Sequence, residues 1–316
     1  MAPRIFICNF IVLIIILLTT SCKKIRDDLL PASNSKLYCQ SILNPDSAIR
    51  VYVGRTTGIL SKDPTFINDA TVVLYNNSML LDTLAYDNNG AYISNVFPSP
   101  DNSYIIKVIK DGIILKGSTN VPDPAPLYQP KMEFPTGYDA ENQQYFGELT
   151  FTIDDDPGIE NFYEVIIYTK TYNDLTNTYR YSYKNDPFYV LIPDKIVQNE
   201  GDWDYSPTSL FFSDKLFNGK KQQLAFSMAA GGYSIVDGVW ISDLEKYGYV
   251  LLRSISREYY LYRKYYIRHS YNASINSDGI QNLLFTGEPL DMYSNVDGGL
   301  GVVAAFSSST SKIERK

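Results

Sequence analysis

The sequence predicts a mainly β protein. An N-terminal β-sandwich of immunoglobulin-like or prealbumin-like type is followed by a β-rich C-terminal domain with one tyrosine-rich helix. Three observations predict this. Short alternations of apolar and polar residues recur from about Lys36 onward, closed by Asn, Asp or Gly. Tyrosine is abundant, with 27 residues against 2 Trp, and Tyr suits half-buried sheet faces where its ring packs and its hydroxyl reaches water. One stretch alone, Ser256 to Asn272, carries strong helical spacing.

The first residues stand apart from the fold. Arg4 gives a short basic start, "IFICNFIVLIIILL" (Ile5 to Leu18) is apolar apart from Asn9, and "TTSC" follows. This is the pattern of a secretory signal peptide over residues 1–21. The apolar run is shorter than the roughly 20 residues a spanning helix needs. Small residues before a cysteine resemble a bacterial lipobox, which makes Cys22 the lipidation site; an ordinary cleaved signal with an incidental Cys22 is the alternative. Residues 22–35, polar with Pro and Ser/Asn, read as a tether. Loss of residues 1–21 removes one base and takes the formal net charge from −7 to −8. An acidic chain is a poor nucleic-acid partner, and anchoring falls to the acyl chains.

Residues 36–121 form the expected sandwich. "SAIRVYVGRT" alternates Ile49, Val51 and Val53, and "DATVVLYNN" is β-branched. Asn88-Asn89-Gly90 and Asp111-Gly112 mark turns where positive φ is cheap. About seven short strands in about 85 residues fit such a domain. "VPDPAPLYQP" then carries four prolines. Proline removes backbone donors, so residues 122–130 read as a linker. Residues 131–316 form the C-terminal domain. "YFGELTFTIDDD", "NFYEVIIYTKTY", "QQLAFSM" and "YGYVLLRSIS" read as strands. In the helix, Ser256 caps the start and Glu258 lies in the first turn. Tyr259, Tyr262 and Tyr266 predict the face packed on the sheet, with Leu261 and Tyr265 beside them.

Few residues nominate chemistry. Three cysteines, of which Cys8 and Cys22 belong to the leader and its end, leave Cys39 without an intramolecular partner and exclude a cysteine-based zinc site. The one histidine, His269, lies in the final helical turn, and no Gly-x-Ser-x-Gly elbow accompanies it. Asp154-Asp155-Asp156 offers carboxylate oxygens for calcium, without EF-hand spacing; ordinary turn chemistry explains it better. No other cofactor is expected. Trp203 and Tyr205, in "GDWDY", mix aromatics with acids as sugar- or peptide-contacting loops do; a partly buried loop anchor is the plainer reading. Gly298-Gly299-Leu300-Gly301 lacks the Gly-Lys-Ser/Thr ending of a phosphate loop and reads as a turn into the last strand.

Order adds what single motifs do not. Phe217-Asn218-Gly219-Lys220, the tyrosine helix, Glu288-Pro289, Ser294-Asn295 and Gly298-Gly299-Leu300-Gly301 follow one another as in the Bacteroidota lipoprotein family DUF4249, which the chain resembles over nearly its whole mature length. Val302-Val303 departs from it, standing where an aromatic is commoner. The resemblance implies a lipid-anchored outer-membrane protein and a role beside a SusC-type TonB-dependent β-barrel transporter; Asp27 and Asp28 near Cys22 resemble a surface-display signal, and a solvated tether explains them equally well. It brings no catalytic residues, so the expectation is a non-enzymatic accessory subunit. A standalone cell-surface binder of glycan or peptide is the alternative.

Overall fold

The computed structural model describes residues 35–57, 65–186, 188–200, 210–275 and 292–316. Among them the strands are β1 (Leu37–Leu43), β2 (Arg50–Arg55), β3 (Thr65–Phe66), β4 (Thr71–Asn76), β5 (Met79–Tyr86), β6 (Ala91–Ile93), β7 (Ser103–Lys110), β8 (Ile113–Asn120), β9 (Leu127–Asp139), β10 (Gln144–Asp154), β11 (Phe162–Asn173), β12 (Thr178–Tyr183), β13 (Val190–Ile192), β14 (Leu210–Ser213), β15 (Lys221–Ala229), β16 (Tyr233–Val236), β17 (Val239–Ser242), β18 (Gly248–Ile255), β19 (Val296–Asp297), β20 (Leu300–Lys312) and β21 (Glu314–Arg315). The helices are α1 (Lys195–Asn199), α2 (Asp243–Tyr247) and α3 (Arg257–Ile275). The protein is mainly β, as its alternation predicts.

A 14-stranded sheet runs β12-β11-β18-β20-β1-β2-β6-β5-β4-β7-β8-β19, with β14 beside β11 and β3 beside β2. A 5-stranded sheet runs β13-β15-β10-β9-β21, and β16 pairs with β17. The predicted turns are present. Asp111 (φ 51) and Gly112 (φ 77) connect β7 to β8 directly after the Lys110↔Ile113 pair, a two-residue hairpin with both central residues left-handed.

Strand β20 joins the cores. Its pairing with β1 is parallel, from Tyr38↔Leu300 to Leu43↔Ala305, and its pairing with β18 is antiparallel. Val303 and Ala305 enter the core built by Leu43, Leu74, Tyr92 and Ile106. Val302 and Ala304, on the opposite face, enter the core under α3 with Phe162, Phe211 and Tyr260. Ile313 reaches a third core, around Phe151, Tyr163, Phe212 and Phe226. The run "VVAAF" is therefore a strand buried on both faces. The expected C-terminal unit 131–316 is not confined to its own sheet, because β19 pairs with β8 and β20 with β1. The proline-rich stretch is extended and fastened: the Ala125 N–H donates to Ser254 Oγ at 2.9 Å, and Ser309 Oγ donates to the Ala125 carbonyl at 2.7 Å. β9 begins at Leu127, inside the stretch expected as linker.

The glycines before β20 permit close approach. A Cβ on Gly301 (φ +129) would lie 1.7 Å from the Cys39 carbonyl oxygen, and one on Gly298 (φ +79) would lie 2.1 Å from that of Ile114. Ser294 Oγ accepts from the Gly301 N–H, and the Asn295 amide bonds both the N–H and the carbonyl of Val303. Cys39 itself is buried, and burial pushes its thiol up to about 12.

Helix α3 begins where predicted. Ser256 Oγ accepts from the Tyr259 N–H, and also from the Ala305 N–H, which ties the helix start to β20. Its packed face differs from the expected one. Tyr259, Tyr260 and Ile267 are buried, whereas Tyr266 is 46% exposed and Tyr265 41% exposed. The reason is charge. Arg263 and Lys264 point inward to two carboxylates, so the buried face is not an apolar stripe. Glu164, 3% exposed, accepts from Arg253 at 2.9 Å and from the Tyr259 hydroxyl at 3.3 Å, with Arg263 at 3.8 Å. Glu200 accepts from Lys264 at 2.8 Å, from the Ser213 N–H at 2.7 Å, and from the Tyr260 hydroxyl. Burial alone would raise the Glu200 carboxyl, but the hydrogen bonds from Lys264, Tyr260 and Ser213 outweigh it and hold it below the usual range.

Two outcomes follow. Gly301→Ala costs about 3 kcal/mol or more, since backbone must move, while Gly112→Ala, with open space around it, costs about 1 kcal/mol for φ alone; urea midpoints measure both. A carboxyl with a lowered folded pKa stabilises the fold above its unfolded value of about 4.3, and that contribution is lost as pH falls through the folded value. Glu200→Gln therefore lowers stability at pH 7 by about 2 kcal/mol, and its thermal midpoint falls less steeply than wild type between pH 5 and pH 2.

Candidate functional site

Among the described residues, those nominated by sequence do not converge. Asp154 pairs with exposed Lys221 at 3.3 Å. Asp155 is buried; it accepts from the Tyr163 hydroxyl and, at 2.7 Å, from the Gly219 N–H. Asp156 is exposed. Among the described residues, no group of three or more His, Cys, Asp or Glu is placed to hold a metal ion. Asp155 is instead a clamp between the "DDDPGI" turn and the "FNGK" turn. Burial and the Asp155 hydrogen bond both push the Tyr163 hydroxyl upward. Nearby Asp214, buried, accepts from the Asn161 N–H at 2.9 Å. Its carboxyl is raised by burial and by the charges of Asp155 and Glu160. A Cβ on Gly219 (φ +70) would meet the Pro157 Cβ at 2.8 Å, so these two sequence motifs are halves of one contact. His269 is exposed on α3. Cys22, Trp203, Tyr205 and Glu288-Pro289 lie outside the described residues.

A cleft of about 810 Å³ opens between β7–β8 and the turn after β10. Its walls include Asn77, Asp101, Asn102, Asp156, Asn161 and Glu258. Apolar residues, among them Val121, Pro124, Ile159 and Phe162, line it as well, and Glu258 accepts from Thr119 Oγ1 at 3.2 Å.

Among the described residues, an exposed cluster of aromatic side chains lies on β11 and β12. Their antiparallel register sets Tyr168 opposite Tyr183, Lys170 opposite Tyr181 and Tyr172 opposite Tyr179. Opposed residues share a face, so these six side chains form one shelf. Tyr249 of β18, opposite Tyr168, extends it: the two rings stack 5.4 Å apart at 13°. Tyr172 and Tyr179 meet edge to face at 5.1 Å, and Lys170 Nζ lies 4.2 Å from the Tyr179 ring centre. Tyr172, Tyr179, Tyr181 and Tyr183 are 51%, 55%, 49% and 64% exposed.

The shelf rests on a rigid base. Val165 and Ile167, on the opposite face of β11, are fully buried. Between β12 and β14, which both pair with the same side of β11, Asn185 fills the ladder. Its Oδ1 accepts from the Ile167 N–H at 2.8 Å, and its Nδ2 donates to the Val165 carbonyl at 3.2 Å. Glu164 and Arg253 lie on the shelf's own face, farther along, beneath α3. One sheet face thus carries a helix at one end and bare tyrosines at the other. The sequence signal was present in "YTKTY" and "TYRYSY": tyrosine occupies one parity, while Thr178, Arg180 and Ser182 on the other are not core residues either. A strand polar on both faces is an exposed edge.

Comparison with curated protein sequences gives no match. The family model described as a domain of unknown function, DUF4249, matches residues 23–312. The Asp155–Gly219 clamp and the glycine approach to Cys39 give a structural meaning to two motifs of this sequence. The chain therefore belongs to the DUF4249 family.

Proposed function

We propose that this chain is a non-enzymatic accessory protein of the outer membrane, held there by lipid on Cys22. It works with a SusC-type TonB-dependent β-barrel transporter, and the tyrosine shelf is its contact face. The observation that carries this reading is the shelf: four tyrosines about half exposed, side by side on the last two paired strands of the large sheet. Tyrosine buries a large ring at low entropy cost and is enriched among interface hot spots. A sheet face loses little further freedom on docking. Residues 22–35 span up to about 45 Å when extended, enough for a lipid-anchored body to reach a partner standing above the bilayer.

A second reading has its own support. Flat tyrosine rings also stack on sugars, so a standalone glycan-binding lipoprotein would use the same shelf.

Purification of the native protein in mild detergent recovers a barrel protein, and a Tyr179→Ala/Tyr183→Ala variant recovers at least about ten-fold less. Wild-type protein recovered with no barrel overturns the leading reading. A glycan array that binds wild type and not the double variant would establish the second. Cys22→Ser moves the protein from the membrane to the soluble fraction; unchanged membrane association would refute the anchor.

A further inference from the structure

We propose that the partner docks by adding an extended, carboxylate-bearing strand to the free edge of β12. This rests on the reading of the shelf as a contact face and specifies how that face is used.

β12 ends the 14-stranded sheet and, among the described residues, pairs with β11 alone. Among the described residues, the other strands of the two larger sheets with a single partner are shorter: β3, β19 and β21 have 2 residues each, β13 has 3 and β14 has 4. β12 has 6 residues, contains no proline, and keeps unbroken register with β11 from Tyr168↔Tyr183 to Asn173↔Thr178. Proteins blunt sheet edges by shortness, bulges, proline or charge. β12 uses none of these except one arginine.

Its backbone orientation is fixed. The Lys184 N–H donates to the Ile167 carbonyl at 2.8 Å. Antiparallel alternation then turns the backbone groups of Thr178, Arg180 and Ser182 toward β11. Those of Tyr179, Tyr181 and Tyr183 face the open edge. The residues whose N–H and C=O groups meet no partner among the described residues are the same ones whose rings form the shelf. An added strand would pair with the backbone and lay alternate side chains against those rings, which is the general form of strand-addition recognition.

Charge selects the occupant. The paired stretches 166–173 and 178–184 hold Lys170, Arg180 and Lys184 and no Asp or Glu, in a chain with 35 acids against 28 bases. None of the three cations has a carboxylate partner among the described residues. Incoming carboxylates would pair with them at an edge only partly screened by water. A second copy of this chain fits worse, since edge-to-edge pairing brings arginine toward arginine, and like charges across a ladder repel.

The test uses the full-length protein in detergent and two fluorescent ten-residue probes. In one, Glu alternates with Val or Thr; in the other, Lys replaces every Glu. The Glu probe is expected to bind at least about ten-fold more tightly. Tyr181→Ala removes a ring and keeps the N–H; Tyr181→Pro removes both, and is expected to bind at least ten-fold more weakly than Tyr181→Ala. Methylating alternate probe amides provides a check that needs no protein variant. One methylated set abolishes binding and the complementary set does not. Equal affinity for the two probes, or indifference to both methylated sets, overturns the proposal, as does saturable glycan binding at the shelf without probe binding. Barrel recovery by wild type without binding of the Glu probe overturns strand addition and leaves the contact-face reading standing. Tight binding of the Glu probe by a wild-type protein that recovers no barrel supports the edge site and sinks the transporter reading.

Discussion

The structure depends on the close apposition of β20 to β1. Where Gly301 passes Cys39 there is no room for a Cβ. That approach lets a strand from the end of the chain lie parallel to the first, and once there it is apolar on both faces. Its Val303 face completes one core and its Val302 face another. Removing β20 would leave β1 and β18 without a shared neighbour, and α3 without its floor. Burial of this kind is non-directional and large, roughly 25 cal/mol per Å² of apolar surface removed from water, but it is available only because backbone sterics admit the strand.

Beneath α3 the balance is different. Glu164 and Glu200 lie in a water-poor layer and would be costly alone. Each is surrounded by donors: Arg253 and Tyr259 for one, Lys264, Ser213 and Tyr260 for the other. Such pairs add less stability than apolar packing of the same volume. Their directionality, however, fixes how the helix sits on the sheet. The same face continues outward as the tyrosine shelf, so a fixed helix position also fixes where the shelf begins.

How much was legible follows from what each element hides. Turns at Asp111-Gly112 and before β20 were plain, because only a few residue types tolerate positive φ. The helix at Ser256 was plain from its cap. Its packed face was not, because Arg263 and Lys264 break the apolar period that pattern reading depends on. Asp154-Asp155-Asp156 looked like one carboxylate cluster, yet a turn sends the three side chains in different directions, and Asp155 finds its partner 64 residues away at Gly219. The shelf was missed for a related reason: tyrosine was read as half-buried packing, and which tyrosines lack a covering layer is decided by sheet order, which composition does not carry. The return of β20 to β1 is likewise a long-range pairing that no local window records.

Cys39 carries a further consequence. A thiol reacts as its thiolate, and this one is buried in the core around Leu43, Leu74 and Ile106, with ionisation pushed to about 12. In neutral solution it is chemically silent. An oxidant, a labelling reagent or another chain's thiol reaches it only when the core it shares with Leu43, Leu74 and Val303 opens. Its modification rate therefore serves as a clock for the opening of that core, built into the wild-type chain.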